Sequence, residues 1–200
     1  MVLLLKTEVA EKIKTWMNKT ILITGFEPFD GDAINPSLEL LSWLHQFQFE
    51  FNFYTEVLPV SFHSSILRLD EAMKKRRPTH VLLTGYAKNR SELTIERIGI
   101  NCIDARIPDN DGHCPKNQKI ISKGEDGLFS TLPLDHLLTF ASEVGCPTKI
   151  SSSAGEYVCN YILYYYLYHY REVPGTFLHL PASKSHEIFF QGIKSIIEKL

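Results

Sequence analysis

The chain has 200 residues and 44% hydrophobic content, enough for one globular domain with a full core, and its formal net charge of -2 argues against a polyanion partner. No apolar run is long enough for a membrane span, and the Met-Val-Leu-Leu-Leu start meets charge at Lys6 and Glu8, too early for a signal-peptide core. Four cysteines, at 102, 114, 146 and 159, form no Cys-x-x-Cys pair, which disfavours a zinc ribbon or thioredoxin-type site and points to reduced thiols in the cytoplasm.

Residues 1–19 read as an amphipathic, Lys-rich helix ahead of the first strand, an extension to a domain spanning 20–200. The run 20–24 is a short β-branched and apolar stretch that stops at Gly25, the pattern of a buried strand. A turn-rich loop follows to Pro36. Helical apolar spacing then covers 37–47, a strand-like run 51–60, and a second helical stripe 61–77. The basic run 74–77 fits the solvated C-terminus of that helix better than a nucleic-acid contact. A second buried strand is predicted at 80–84, and an alternating strand at 93–103. Residues 104–131 form a long loop rich in Asp, Gly, Lys and Pro, a length usually kept for function or mobility. Helices at 134–144, 156–170 and 185–200 alternate with strands at 148–152 and 176–180. This order predicts a single-domain, three-layer α/β/α sandwich with a mostly parallel sheet, phosphorylase/hydrolase-like in class, with ligands beyond the carboxyl ends of the strands.

Cys159 stands out by its setting. The small residues from Ser151 to Gly155 join a strand to a helix, a Ser can cap that helix, and Cys159 falls near its first turn. A helix N-terminus favours a thiolate, the form a nucleophilic cysteine needs. The alternative is a buried structural cysteine. His179 ends an apolar strand, the one that follows the Cys159 helix. Consecutive parallel strands often neighbour each other, which would let His179 face Cys159; otherwise it is a satisfied core histidine. Glu96 lies inside a strand and needs a partner if buried. Orienting His179 would supply one, and so would a salt bridge to Arg97 or Arg106.

Four segments then carry a family resemblance: Thr24-Gly25-Phe26-Glu27-Pro28-Phe29-Asp30-Gly31 with Asn35-Pro36; Ile95-Glu96-Arg97-Ile98 with Asn101 and Asp104-Ala105-Arg106-Ile107-Pro108-Asp109-Asn110; Ser153-Ala154-Gly155 with Tyr157-Val158-Cys159-Asn160; and Phe177-Leu178-His179-Leu180-Pro181. In order and spacing they resemble pyroglutamyl peptidase type I across nearly all of 20–200. The resemblance implies a cysteine peptidase that hydrolyses the N-terminal pyroglutamyl residue from peptides through a thioester, with Glu96, Cys159 and His179 as catalytic residues. It implies a ring pocket made by Phe26, Phe29, Ile107, Tyr157 and Val158, no cofactor, no metal, and assembly into a dimer or tetramer. Arg106 is expected to give electrostatic support near Glu96 or the oxyanion. Three segments depart from the pattern: Asp30 replaces a more usual Gly, 86–90 is a looser version of a Gly-rich segment, and 182–186 replaces a longer Pro-rich stretch. A binding module that keeps the pocket for pyrrolidone-like molecules but has lost catalysis is the alternative. Phosphate cradling by the glycine loop is disfavoured by Glu27 and Asp30, and the loop has no basic residue.

Overall fold

The computed structural model describes residues 19–200, so all of the expected N-terminal helix except Lys19 lies outside the described residues. The elements in chain order are β1 (Thr20–Phe26), α1 (Pro36–Leu44), β2 (Asn52–Leu58), α2 (Phe62–Arg76), β3 (His80–Ala87), β4 (Leu93–Glu96), β5 (Ile98–Ile100), β6 (Gly127–Phe129), α3 (Leu134–Ser142), β7 (Thr148–Ser151), α4 (Val158–His169), β8 (Gly175–Pro181) and α5 (Glu187–Lys199).

Residue alternation along the strands builds two cores. Leu22, Val81, Leu83 and Phe177 face α2 and α4, where they meet Leu69, Met73, Ile162 and Leu163. Ile21, Ile23, Leu82 and Leu178 face the other way, onto Leu40 and Leu44 of α1, Leu137 of α3 and Ile193 and Ile196 of α5. The result is the predicted sandwich, with two helices of the described residues on one face and three on the other. The period-2 pattern of a strand buried on both faces requires just such a double cover.

The main sheet has the order β2-β1-β3-β8-β4-β7. Its pairs are parallel except β4 with β8, which is antiparallel. Two expectations are corrected here. The strands before and after the Cys159 helix, β7 and β8, are not neighbours, because β4 lies between them. β4 and β7 also run against the other four strands, so the turn into α4 does not leave the edge shared by the rest.

The predicted strand at 93–103 is two strands in different sheets. It breaks at Arg97, and Ile98–Ile100 pairs with Gly127–Phe129 in a separate antiparallel ribbon. The backbone carbonyl of Glu96 is taken at this break by the hydroxyls of Ser130, at 2.6 Å, and Thr176, at 3.0 Å. The long loop therefore contains a short strand, β6, and is otherwise irregular.

Helix ends follow local chemistry. Asn35 caps α1 by accepting from the Ser37 N–H, with Pro36 in the first turn. Ser61 caps α2 through the Ser64 N–H, and Arg77 closes it with φ 46. The long loop docks on the start of the same helix: one Asp109 carboxylate oxygen accepts from Phe62 N–H at 2.8 Å, and the other from the N–H groups of Asp111 and His113. That clamp fixes the stretch carrying Arg106 and Ile107.

Candidate active site

His179 sits on β8 on the same face as Phe177, and its register partner on β3 is Gly85. Gly85 lacks a side chain for a reason: a Cβ there would lie 3.1 Å from Cys159 Sγ and 2.8 Å from the Phe177 ring. The sulfur is thus packed over the backbone of β3, at the position paired with His179. Both side chains line one cavity of about 700 Å³.

Cys159 is the second residue of α4. The helix is locked by its neighbour, the fully buried Asn160. Asn160 Oδ1 accepts from Ile100 N–H at 2.9 Å, and Nδ2 donates to the carbonyls of Ile100 and Cys102. The expected serine cap is absent: Tyr157 occupies the cap position with no side-chain hydrogen bond. The serines serve the preceding turn instead, where Gly155, at φ 83, takes the left-handed conformation that suits glycine.

Behind His179 lies Glu96, fully buried on β4. Its Oε1 is 2.7 Å from His179 Nδ1. An ionised carboxylate only accepts, so Nδ1 carries the proton and Nε2 is the basic nitrogen. Oε1 also accepts from the Arg90 guanidinium, which bonds Thr94 Oγ1 as well. The second nitrogen of Arg90 donates to the Ser153 carbonyl at 2.8 Å. Sequence reasoning did not single out Arg90. It expected Arg97 or Arg106 beside Glu96, whereas Arg106 is exposed on the cavity wall. The six-residue separation of Arg90 and Glu96 spans a turn, and no periodic pattern marks such a pair.

Electrostatics follow from this packing. Burial pushes the Glu96 carboxyl up, but the hydrogen bond and charge of His179, the nearby Ser151 hydroxyl and Arg90 together hold it below its ordinary value. Burial lowers the His179 imidazole, with Arg90 adding to the effect and Glu96 opposing it. Burial, then the Glu96 charge, pushes the Cys159 thiol up to about 12; Arg90 and a backbone hydrogen bond act the other way. The helix N-terminus is present, but burial and the Glu96 charge act against a thiolate there.

The predicted ring-pocket residues converge. Phe26, Phe29, Ile107, Tyr157 and Val158 all line the cavity that holds Cys159. The rings of Phe29 and Tyr157 lie 5.4 Å apart, and Tyr157 hydroxyl donates to the Pro108 carbonyl at 3.0 Å. Phe26 is fixed through its N–H, which donates to Ser37 Oγ at 2.9 Å. The polar residues of the first motif act as braces. Glu27 Oε1 accepts from Val60 N–H and from the Asn110 amide, and Asn35 donates to the Glu27 carbonyl. Two of the departing segments face each other across the mouth, where Lys88 Nζ is 2.7 Å from Asp32 and 3.7 Å from Asp30. Asp30 has φ 58, a conformation Asp tolerates better than most residues and one in which Gly is at ease.

Comparison with known proteins identifies the family and the fold. The family model for pyroglutamyl peptidase matches residues 19–193. The pyrrolidone-carboxylate peptidase of Thermosipho melanesiensis is 37% identical over 180 residues, covering 88% of this chain and 89% of its own. Pyrrolidone-carboxylate peptidase 1 of Photorhabdus laumondii is 39% identical, with 89% and 86% covered. Among solved structures, the pyrrolidone carboxyl peptidase of Pyrococcus furiosus superposes with a TM-score of 0.84 at 33% identity, covering 90% of this chain and 97% of that one. Pyroglutamyl peptidase I of Bacillus amyloliquefaciens gives 0.84 at 31% identity, with 90% and 95% covered.

Proposed function

The chain belongs to the pyroglutamyl peptidase family, and from that premise we propose that Cys159, His179 and Glu96 carry out its reaction, with Phe26, Phe29, Ile107, Tyr157 and Val158 holding the substrate ring. The enzyme is a cysteine-type hydrolase that removes the N-terminal pyroglutamyl residue from peptides. The observation that supports the assignment of roles is the shared cavity: the Cys159 sulfur and the His179 ring open into it, and Glu96 holds the far side of that ring.

The chemistry is acyl transfer. Pyroglutamate is a small, flat, neutral lactam, and an apolar slot buries its ring while backbone groups meet its N–H and C=O. Neutral His179 Nε2 takes the thiol proton as Sγ attacks the pyroglutamyl carbonyl carbon. First-turn N–H groups of α4 stabilise the oxyanion. The imidazolium then gives its proton to the leaving amine, the C–N bond breaks, and a thioester remains. Water, deprotonated by His179, attacks that thioester and releases free pyroglutamate and the thiol. Glu96 holds the imidazole in the Nδ1–H tautomer and stabilises the transient cation. Arg106, on the cavity wall, is assigned electrostatic support at the oxyanion rather than at Glu96.

In the same reading, residues 20–200 form the catalytic domain and 1–19 an extension to it, and the enzyme is a cytoplasmic dimer or tetramer. No helix of the described residues is long and apolar enough to cross a membrane. Light scattering on the purified chain tests the assembly. The activity test is release of a dye from a pyroglutamyl-dye amide, with Cys159→Ala beside the parent. Turnover by the parent and none by the variant is the expected result. Turnover by a folded Cys159→Ala would remove Cys159 from its role. Pyroglutamate binding with no turnover by the parent would favour the binding-only alternative, for which no observation now speaks.

A further inference from the structure

A buried carboxylate that stays ionised needs a permanent positive partner. Glu96 is fully buried, and His179 cannot be that partner if it is to accept a proton from Cys159. Arg90 is the one permanent cation in contact with Glu96 among the described residues. Its side chain is itself 19% exposed, with the guanidinium turned inward.

Arg90 also touches every segment that carries the proposed chemistry. One guanidinium nitrogen bonds Glu96 Oε1 and Thr94 on β4, and the other bonds the Ser153 carbonyl in the turn leading to Cys159. Its own backbone carbonyl accepts from Ala182 N–H, just beyond the strand of His179, at 3.2 Å. Glu96 Oε2 has no hydrogen-bond partner among the described residues, so His179, Arg90 and, at 3.4 Å, the Thr94 hydroxyl all meet at Oε1. Arg90 thus bonds the same oxygen that faces the imidazole.

We infer that Arg90 is a positioning residue of the reaction: it neutralises buried Glu96 so that His179 stays uncharged and basic, and it pins the Cys159 turn to the Glu96 strand. The titratable and charged groups around His179 are Glu96 on β4, Arg90 in the β3–β4 connection and Cys159 on α4; Asp30, Asp32, Tyr86, Lys88, Asp104, Arg106, Glu156 and Tyr157 also line the cavity. With Arg90 gone, the Glu96 charge is left to His179 alone. The imidazole then holds a proton to higher pH, and the fraction able to act as a base falls.

The inference rests on the roles proposed above, and its test separates the two. Arg90→Gln and Arg90→Lys are compared with the parent and with Cys159→Ala in the pyroglutamyl-dye assay across pH, with folding followed by thermal melting. For Arg90→Gln, kcat is expected to fall at least about tenfold with KM little changed, a loss within the range of general base catalysis. The acid limb of kcat/KM should move to higher pH. Arg90→Lys, which keeps the charge and loses the fork, should keep the acid limb near that of the parent at an intermediate kcat. If Arg90→Gln does not fold, the His179 imidazole titration followed by NMR in Arg90→Lys serves in its place, and a midpoint well above that of the parent overturns the inference. A folded Arg90→Gln with parental kcat and an unmoved acid limb also overturns it. So does a loss confined to KM. In each of those cases an inactive Cys159→Ala leaves the assignment of the nucleophile standing, whereas an active one removes the assignment itself.

Discussion

Glu96, His179 and Cys159 differ in how openly the sequence displays them. Cys159 is visible because small residues precede a helix, and His179 because an apolar strand ends in it. The sulfur's protonation is not visible, since burial is a property of the whole packing; the thiol is raised, not lowered. Gly85 is a similar case. In the sequence it merely closes a strand, but in the fold it makes room for the nucleophile. We predict that Gly85→Ala keeps the fold and lowers kcat/KM by about tenfold or more, because the new methyl must displace either the sulfur or the Phe177 ring, and misplacing a reacting atom by about 1 Å can cost about a hundredfold. Kinetics beside a melting curve decide it: parental kcat/KM in a folded variant would contradict the packing described.

At the level of elements, α4 is held by one side chain more than by its cap. Asn160 satisfies three backbone groups of the β5 region, two of them on Ile100. Asn160→Ala leaves a buried N–H and buried carbonyls unpaired, at about 1–3 kcal/mol for each group left so. Denaturant unfolding is expected to show a loss of at least about 2 kcal/mol, with activity falling further than stability because Cys159 is the adjacent residue. A loss below the scatter of surface substitutions would contradict this. The helix itself was legible from 156 to 170, apart from its ends. The split of 93–103 was hidden by the general alternation; its one mark is a shift of the apolar phase from Leu93 and Ile95 to Ile98 and Ile100 across Glu96-Arg97, where the chain turns into another sheet. Side-chain periodicity reports which face is covered and is silent on which sheet does the covering. Strand direction was likewise hidden: β4 and β7 look like the other buried strands, and only the pairing shows that they run the opposite way.

For the whole molecule, the buried site ties stability to pH. His179 is lowered from 6.5 and Glu96 from 4.5, so the unfolded chain binds more protons than the native one in acid. Their contribution is present above those values and is lost as pH falls, first through His179 and then through Glu96. Cys159 is raised from 9.0 to about 12, so its contribution is present below 9.0 and is lost as pH rises toward the folded value. Tyr165, half-buried and raised from 10.0 to about 12 by burial and by Asp70, acts in the same direction. Thermal melting across pH should give a plateau from about pH 6.5 to about pH 9 with a fall on either side, and Cys159→Ser should soften the alkaline fall. A melting temperature that rises on acidification below pH 6.5 would contradict these signs. The layered α/β architecture was legible from the alternation of elements, whereas this pH profile depends on which groups the layers enclose.

The most direct measurement is to trap the covalent intermediate. The parent enzyme is mixed with a pyroglutamyl ester, quenched in acid during turnover, digested and mapped by mass spectrometry. One pyroglutamyl group on Cys159, absent in Cys159→Ala and accumulating little in His179→Ala, is the expected result. An active enzyme that carries the group on another residue, or forms no adduct under conditions where acylation outruns hydrolysis, would contradict nucleophilic attack by Cys159.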